Sequence, residues 1–299
     1  MKNRMTTTFL IALLPFAAQA DISIFACEPE WAALATEIGG SHVGAYSATT
    51  ALQDPHYIQA RPSLIAKVRR ADLVICSGAE LEIGWLPVLL RKANNRDVMP
   101  GTPGFLEASS LVERFDATAN VDRGSGDIHP QGNPHVQTNP HNIAVIAIAL
   151  SQRMGELDVE NADAYRTGLG DFQSRWDEAI DRWEAKAQVL KGKRIITHHK
   201  SWVYLERWLG LVEVANLEAV AGLPPTAGHL SQLVSRFENG GADAIVRAPY
   251  QDQRASKWLA ERTGISAVVL PLTVGGTDRA TDLFNLFDDI VDTLLGATQ

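Results

Sequence analysis

NADAYRTGLGDFQSRWDEAIDRWEAKAQVL, residues 161–190, places Leu169, Phe172, Trp176, Ile180, Trp183, Ala187 and Leu190 at intervals of 3, 4, 4, 3, 4 and 3. That spacing lays one apolar stripe along a helix of about thirty residues starting near Asn161, with a charged opposite face. Such a helix lies on the surface and spans much of the molecule. It occurs once, with no second heptad segment to pair with, so it packs against its own protein rather than in a coiled coil.

Strands and helices alternate on both sides of it. Upstream, Ile22–Ala26 reads as a strand and the segment through Ala35 and Ile38 as a helix. Val43–Ala48 is a second strand, Pro62–Arg70 a helix, Ala71–Cys76 a buried strand and Ile143–Met154 a helix. Downstream come a strand at Arg194–Thr197, a helix at His199–Leu209, a strand at Val212–Val214, and a loop and helix from Pro225 to Asn239. Then follow a strand at Ala244–Val246, a helix at Asp252–Thr263, a strand at Val268–Leu270 and a last helix at Asp282–Leu295. This alternation implies parallel sheets covered by helices. The expected fold is therefore α/β, two lobes each with a parallel-type sheet flanked by helices, joined by one long bridging helix. The boundaries that follow are a signal peptide at 1–20, an N-terminal metal-binding lobe at 21–155, the bridge at 156–191 and a C-terminal metal-binding lobe at 192–299.

The first twenty residues combine Lys2 and Arg4, an apolar run from Phe9 to Ala18 and the small-x-small ending Ala18-Gln19-Ala20. They read as a secretory signal cleaved after Ala20, the apolar run falling short of the roughly 20 residues that cross a bilayer. Ile24-Phe25-Ala26-Cys27 lacks the context for lipidation. Removing Lys2 and Arg4 from the 27 basic residues leaves 25 against 35 acidic ones, a formal charge of −10. Nucleic acid is a poor partner for that balance and a cation a good one. Cys27 and Cys76, near the ends of predicted strands, are buried thiols or a disulfide, and two cysteines do not make a thiolate zinc site.

Three histidines stand in marked contexts: Asp54-Pro55-His56, Asn133-Pro134-His135 and His199-Lys200-Ser201-Trp202. Each follows a strand or loop at the carboxyl end of a sheet, where open α/β folds place ligands. Neutral imidazole is the commonest nitrogen ligand of Zn²⁺, and three with a carboxylate or water complete a tetrahedron. Pro55 and Pro134 fix the backbone just before the ligand and limit the entropy lost on capture. The stretch from Arg123 to His141, rich in Gly and Pro with three His, is a loop of functional length.

These residues carry a resemblance. Gln53-Asp54-Pro55-His56-Tyr57, Arg61-Pro62-Ser63, Ala71-Asp72-Leu73-Val74 and Gly78-Ala79-Glu80-Leu81-Glu82 resemble the first-lobe signature of the zinc/manganese substrate-binding proteins of ABC transporters (ZnuA/TroA-like, cluster A-I), here of the zinc type. Gly132 to Pro140 is similar to the family's second motif, with Gln137 for Trp and Asn139 for Asp. Thr197 to Leu205 matches the third, His199 on the ligand position and His198 on an aromatic one. The resemblance implies two lobes bridged by a rigid helix, with the ion between them. Many members add a carboxylate after the last strand, where this chain has Val274. Asp278 is the nearest carboxylate, and Gly275 and Gly276 could let the loop bring it inward. Asp278 is thus the candidate fourth ligand, a bound water its replacement, and a helix cap near Arg279 its alternative role.

His129 and His141 flank the second ligand, either solvated or making first contact with the ion or a delivering protein, and His229 belongs to a helix start. Glu28, Glu80, Glu82, Glu206 and Glu218 are available to shape the field or hold imidazole tautomers, and nothing in the sequence singles one out. The reading is a monomeric, non-enzymatic periplasmic protein that binds Zn²⁺ with high affinity. It hands the ion to an inner-membrane ABC permease, with a periplasmic metallochaperone as a further partner. A zinc hydrolase is the rival from another class, since three His with an open position is also a catalytic pattern. It lacks a general base beside a ligand, although Glu206 stands one helix face from His199. A metal-dependent adhesin or metallochaperone on the same lobes is the third possibility. No GxSxG elbow, P-loop or GxGxxG follows a predicted strand.

Overall fold

The computed structural model describes residues 21–118 and 126–299. The signal segment and the Arg123–Ser125 part of the loop lie outside the described residues. The first lobe runs β1 (Ile22–Ala26), α1 (Pro29–Gly39), β2 (Val43–Ser47), α2 (Pro62–Arg69), β3 (Leu73–Cys76), α3 (Leu86–Ala93), β4 (Phe105–Glu107) and α4 (Pro140–Leu157). The bridge is α5 (Ala162–Ala187). The second lobe runs β5 (Arg194–Thr197), α6 (Val203–Leu209), β6 (Val212–Asn216), α7 (Ala227–Phe237), β7 (Ala244–Arg247), α8 (Gln253–Thr263), β8 (Ser266–Val269) and α9 (Leu283–Ala297).

Both sheets are parallel and share one order, β2-β1-β3-β4 and β6-β5-β7-β8. The central strand β3 is buried along its whole Leu-Val-Ile-Cys length, as expected of a parallel strand covered on both faces. In each sheet the first strand sits between the second and third. The chain reverses direction there, and loops at the carboxyl ends open into a crevice. Cys27 and Cys76, just past β1 and at the end of β3, form a disulfide with Cα atoms 4.8 Å apart.

The stripe on α5 is what welds the lobes together. Phe172, Trp176, Ile180, Trp183 and Ala187 are all buried. Trp176 meets Phe284 and Phe287 of α9 at ring-centroid distances of 4.9 and 5.5 Å, and its indole nitrogen donates to Pro140 O of α4 at 2.9 Å. One helix face therefore touches the start of α4 and the last helix of the second lobe, and a single apolar core runs through both. Gly168, intrinsically poor within a helix, is required by a close approach: a Cβ there would stand 2.0 Å from Ile38 O of α1.

Several local details differ from the sequence expectation. α3 and the three-residue β4 were not foreseen; β4 is too short for a period to show. The helix expected from His199 begins only at Val203, because His199 to Trp202 form the turn between strand and helix, Ser201 N donating to His199 O at 2.8 Å. The expected loop to His141 ends sooner: Val136–Thr138 is a buried 3₁₀ turn, and Asn139 caps α4 by accepting from His141 N at 2.9 Å.

Candidate metal centre

His56 lies in the loop after β2. Its backbone N–H donates to Asp54 Oδ1 at 3.0 Å, and its Nδ1 lies 2.7 Å from the same oxygen. This local turn fixes ring and tautomer together: Asp54 accepts the Nδ1 proton, and the lone pair is left on Nε2. Burial pushes the Asp54 carboxyl up, but its hydrogen bonds to His56 and the imidazole's charge outweigh that and hold it below its ordinary range. His199, just beyond β5, is held by a long-range partner, with Nδ1 2.8 Å from Glu218 Oε2. Glu218 follows β6, and the same oxygen accepts from Gly222 N at 2.7 Å.

His135 differs from both. Its backbone N–H donates to Asn133 Oδ1 at 3.0 Å, but both ring nitrogens are buried and have no hydrogen-bond partner among the described residues. Leaving such a nitrogen unpaired costs about 1–3 kcal/mol, and a cation on the ring's lone pair removes that cost for one of the two. Burial, then the neighbouring imidazoles of His56, His199 and His129, push its pKa well below the ordinary value, so at neutral pH the ring is an uncharged ligand.

The three rings converge edge to face. Centroids are 5.8 Å apart for His56 and His135, 5.7 Å for His56 and His199, and 6.2 Å for His135 and His199. One nitrogen from each lies within 4.8 Å of the others, against about 3.3 Å for two nitrogens on a tetrahedral zinc. Their exposures of 9%, 1% and 6% place them inside the seam between the lobes. Asn133 stitches that seam, its side-chain amide donating to Lys200 O at 2.7 Å while its own carbonyl accepts from Tyr204 at 2.8 Å.

Asp278 does not join the imidazoles. It is exposed, in a turn closed by Gly275 N donating to Ala280 O at 2.7 Å, which leaves Asp278 and Arg279 on the outer side. Nor does it cap a helix, for α9 starts at Leu283 rather than near Arg279, and Asp282 is its cap, accepting from Asn285 N at 2.8 Å. His129 reaches the site instead, with Nε2 3.2 Å from His56 Nε2. His141 is exposed and pairs with Glu184 of α5 at 2.8 Å, and His229 sits in the first turn of α7, bonded to Asn216 O at 2.9 Å. Glu206, pushed up to about 8 by burial and by Glu213 and Asp116, lies outside the histidine cluster.

The sequence singles out neither Asp54 nor Glu218 as a partner of the imidazoles. For Asp54 a local signal existed, a carboxylate two residues before a ligand. Glu218 had none, because its pairing depends on β5 and β6 lying side by side. Glu28, Glu30 and Glu82 form a buried group, with Glu28 and Glu30 lining a small cavity shared with His135: Glu28 and Glu82 both accept from Ser77 N, and Glu30 accepts from Thr273 at 2.5 Å. Burial pushes Glu30 and Glu82 up to about 7 and Glu28 well above its ordinary value.

Known proteins resemble this chain in sequence and fold. The family model described as zinc-uptake complex component A, periplasmic (ZnuA), matches residues 24–297. The high-affinity zinc uptake system protein ZnuA of Yersinia pestis is 23% identical over 207 residues, 65% of this chain and 65% of that protein's length. The manganese ABC transporter substrate-binding lipoprotein PsaA of Streptococcus pneumoniae is 21% identical over 236 residues, 76% of this chain and 72% of that protein. A crystal structure of ZnuA superposes with a TM-score of 0.78 at 20% identity, covering 94% of this chain and all of that one. With a family model matched across almost its whole length, the chain belongs to the ZnuA family of metal-binding ABC transporter substrate-binding proteins, which are solute-binding proteins and not enzymes.

Proposed function

We propose that this protein captures Zn²⁺ in the periplasm through His56, His135 and His199 and delivers it to the permease of an ABC-type importer. On this reading residues 1–20 are a cleaved signal, 21–155 and 192–299 supply the two halves of the site, and 156–191 holds them at a fixed spacing. A periplasmic metallochaperone is a fitting donor. The observation that carries the proposal is His135, a buried imidazole whose ring nitrogens have no partner among the described residues and which lies beside two further imidazoles whose Nδ1 atoms are held by carboxylates. A set of neutral nitrogens suits Zn²⁺, whereas Mn²⁺ prefers oxygen-rich sites. Cu²⁺ would bind such a set more tightly still, so its exclusion rests on geometry or availability.

The test is a titration of metal-stripped mature protein with Zn²⁺, Mn²⁺ and Cu²⁺, repeated for His56→Ala, His135→Ala, His199→Ala and Asp278→Ala. Zn²⁺ affinity should exceed Mn²⁺ affinity by at least 100-fold and fall at least 100-fold in each histidine variant, about 2.7 kcal/mol or more. Asp278→Ala should change it by less than tenfold. Mn²⁺ binding as tight as Zn²⁺ would remove the zinc assignment, and histidine variants that bind like wild type would remove the site.

A further inference from the structure

We propose that His129 is the fourth ligand of the cation, in the position assigned from sequence to Asp278; this rests on the zinc reading above. His56 commits Nδ1 to Asp54, which leaves its Nε2 as the ligand atom, and that atom lies 3.2 Å from His129 Nε2. Two nitrogens bound to one tetrahedral zinc at about 2.05 Å stand about 3.3 Å apart. The pair already has the spacing of two ligands on a common ion. The rings stack with centroids 5.3 Å apart and planes at 29°.

The backbone that carries His129 is pinned to both lobes. Asp127 N donates to Ala221 O at 2.9 Å, and Tyr57, the residue after His56, donates its hydroxyl to Asp127 Oδ2 at 2.8 Å. Gly126 takes a positive φ of 73° against Ala221, where a Cβ would stand 2.1 Å from the carbonyl oxygen. Ala221 precedes Gly222, whose N–H holds Glu218 and through it His199. One hydrogen-bonded chain thus runs from the segment bearing His129 to two of the three clustered imidazoles. His129 lies outside the 4.8 Å span of those three, so binding must draw its side chain inward from His56 toward the centre. A site of four nitrogens and no carboxylate would sharpen the preference for Zn²⁺ over Mn²⁺.

The experiment uses the whole mature chain, stripped of metal, in wild-type, His129→Ala, His135→Ala and His141→Ala forms. Each is titrated with Zn²⁺ against a chromophoric chelator and separately loaded with Co²⁺, whose visible absorption reports the ligand set. His129→Ala should lose 10- to 100-fold in Zn²⁺ affinity and shift the Co²⁺ spectrum, with the metal-free melting temperature unchanged. His141→Ala should do neither. Affinity within threefold of wild type, or an altered affinity with an unchanged Co²⁺ spectrum, would overturn the fourth-ligand assignment and reduce the contact to a hydrogen bond between two imidazoles. If His135→Ala also binds normally, it is the zinc site itself that fails.

Discussion

Replacing Glu218 separates what its charge does for His199 from what its geometry does. One carboxylate oxygen accepts from both His199 Nδ1–H at 2.8 Å and Gly222 N–H at 2.7 Å. In Glu218→Gln the Gly222 N–H selects the amide oxygen for that place, so His199 keeps the tautomer with a free Nε2 and loses only the negative partner that raises its basicity. In Glu218→Ala the imidazole is free to turn or to move its proton to Nε2, and the half-buried Gly222 N–H loses its acceptor. Partners of this kind are worth 10- to 100-fold in metal affinity. Glu218→Gln should therefore sit near the tenfold end, about 1.4 kcal/mol, and Glu218→Ala at or beyond the hundredfold end, about 2.7 kcal/mol. Zinc competition against a chelator at pH 7.5 reads both, with metal-free melting curves to show that the fold persists. Equal losses in the two variants, or a loss below threefold in Glu218→Ala, would refute the view that Glu218 sets the His199 tautomer.

The fold supplies further tests. Trp176→Ala empties the seam where α5 meets α9 and removes the bond to Pro140 O, so urea unfolding should show a loss of about 3–5 kcal/mol. Glu82, raised to about 7 against 4.5 when unfolded, contributes stability that is whole below about pH 4.5 and lost as pH rises through 7. Glu82→Gln should accordingly gain on wild type between pH 4.5 and pH 8 by about 1–3 kcal/mol, and parallel stability–pH curves would contradict the shift. The Cys27–Cys76 bond closes a loop of 49 residues, so the double alanine variant should lose about 2–4 kcal/mol, and an unfolding midpoint insensitive to reductant would count against it.

The sequence alone determined the α/β grammar, the bridging helix and the three histidines, because each is written in local terms. A period of 3.6 marks α5 wherever it packs, an unbroken apolar run marks β3, and a Pro before His56 and His135 marks a fixed loop whatever faces it. Tertiary structure decided everything that depends on which loops become neighbours. Glu218 meets His199 only because β6 lies beside β5, and His129 meets His56 only because residues 126–129 are tied to Tyr57 and Ala221. Asp278 fails to arrive because a turn closed between Gly275 and Ala280 leaves it outside, a hydrogen bond that glycine content could permit but not locate. Periodicity records which face of an element is buried, and it carries no information about the distance between two loop side chains from different strands.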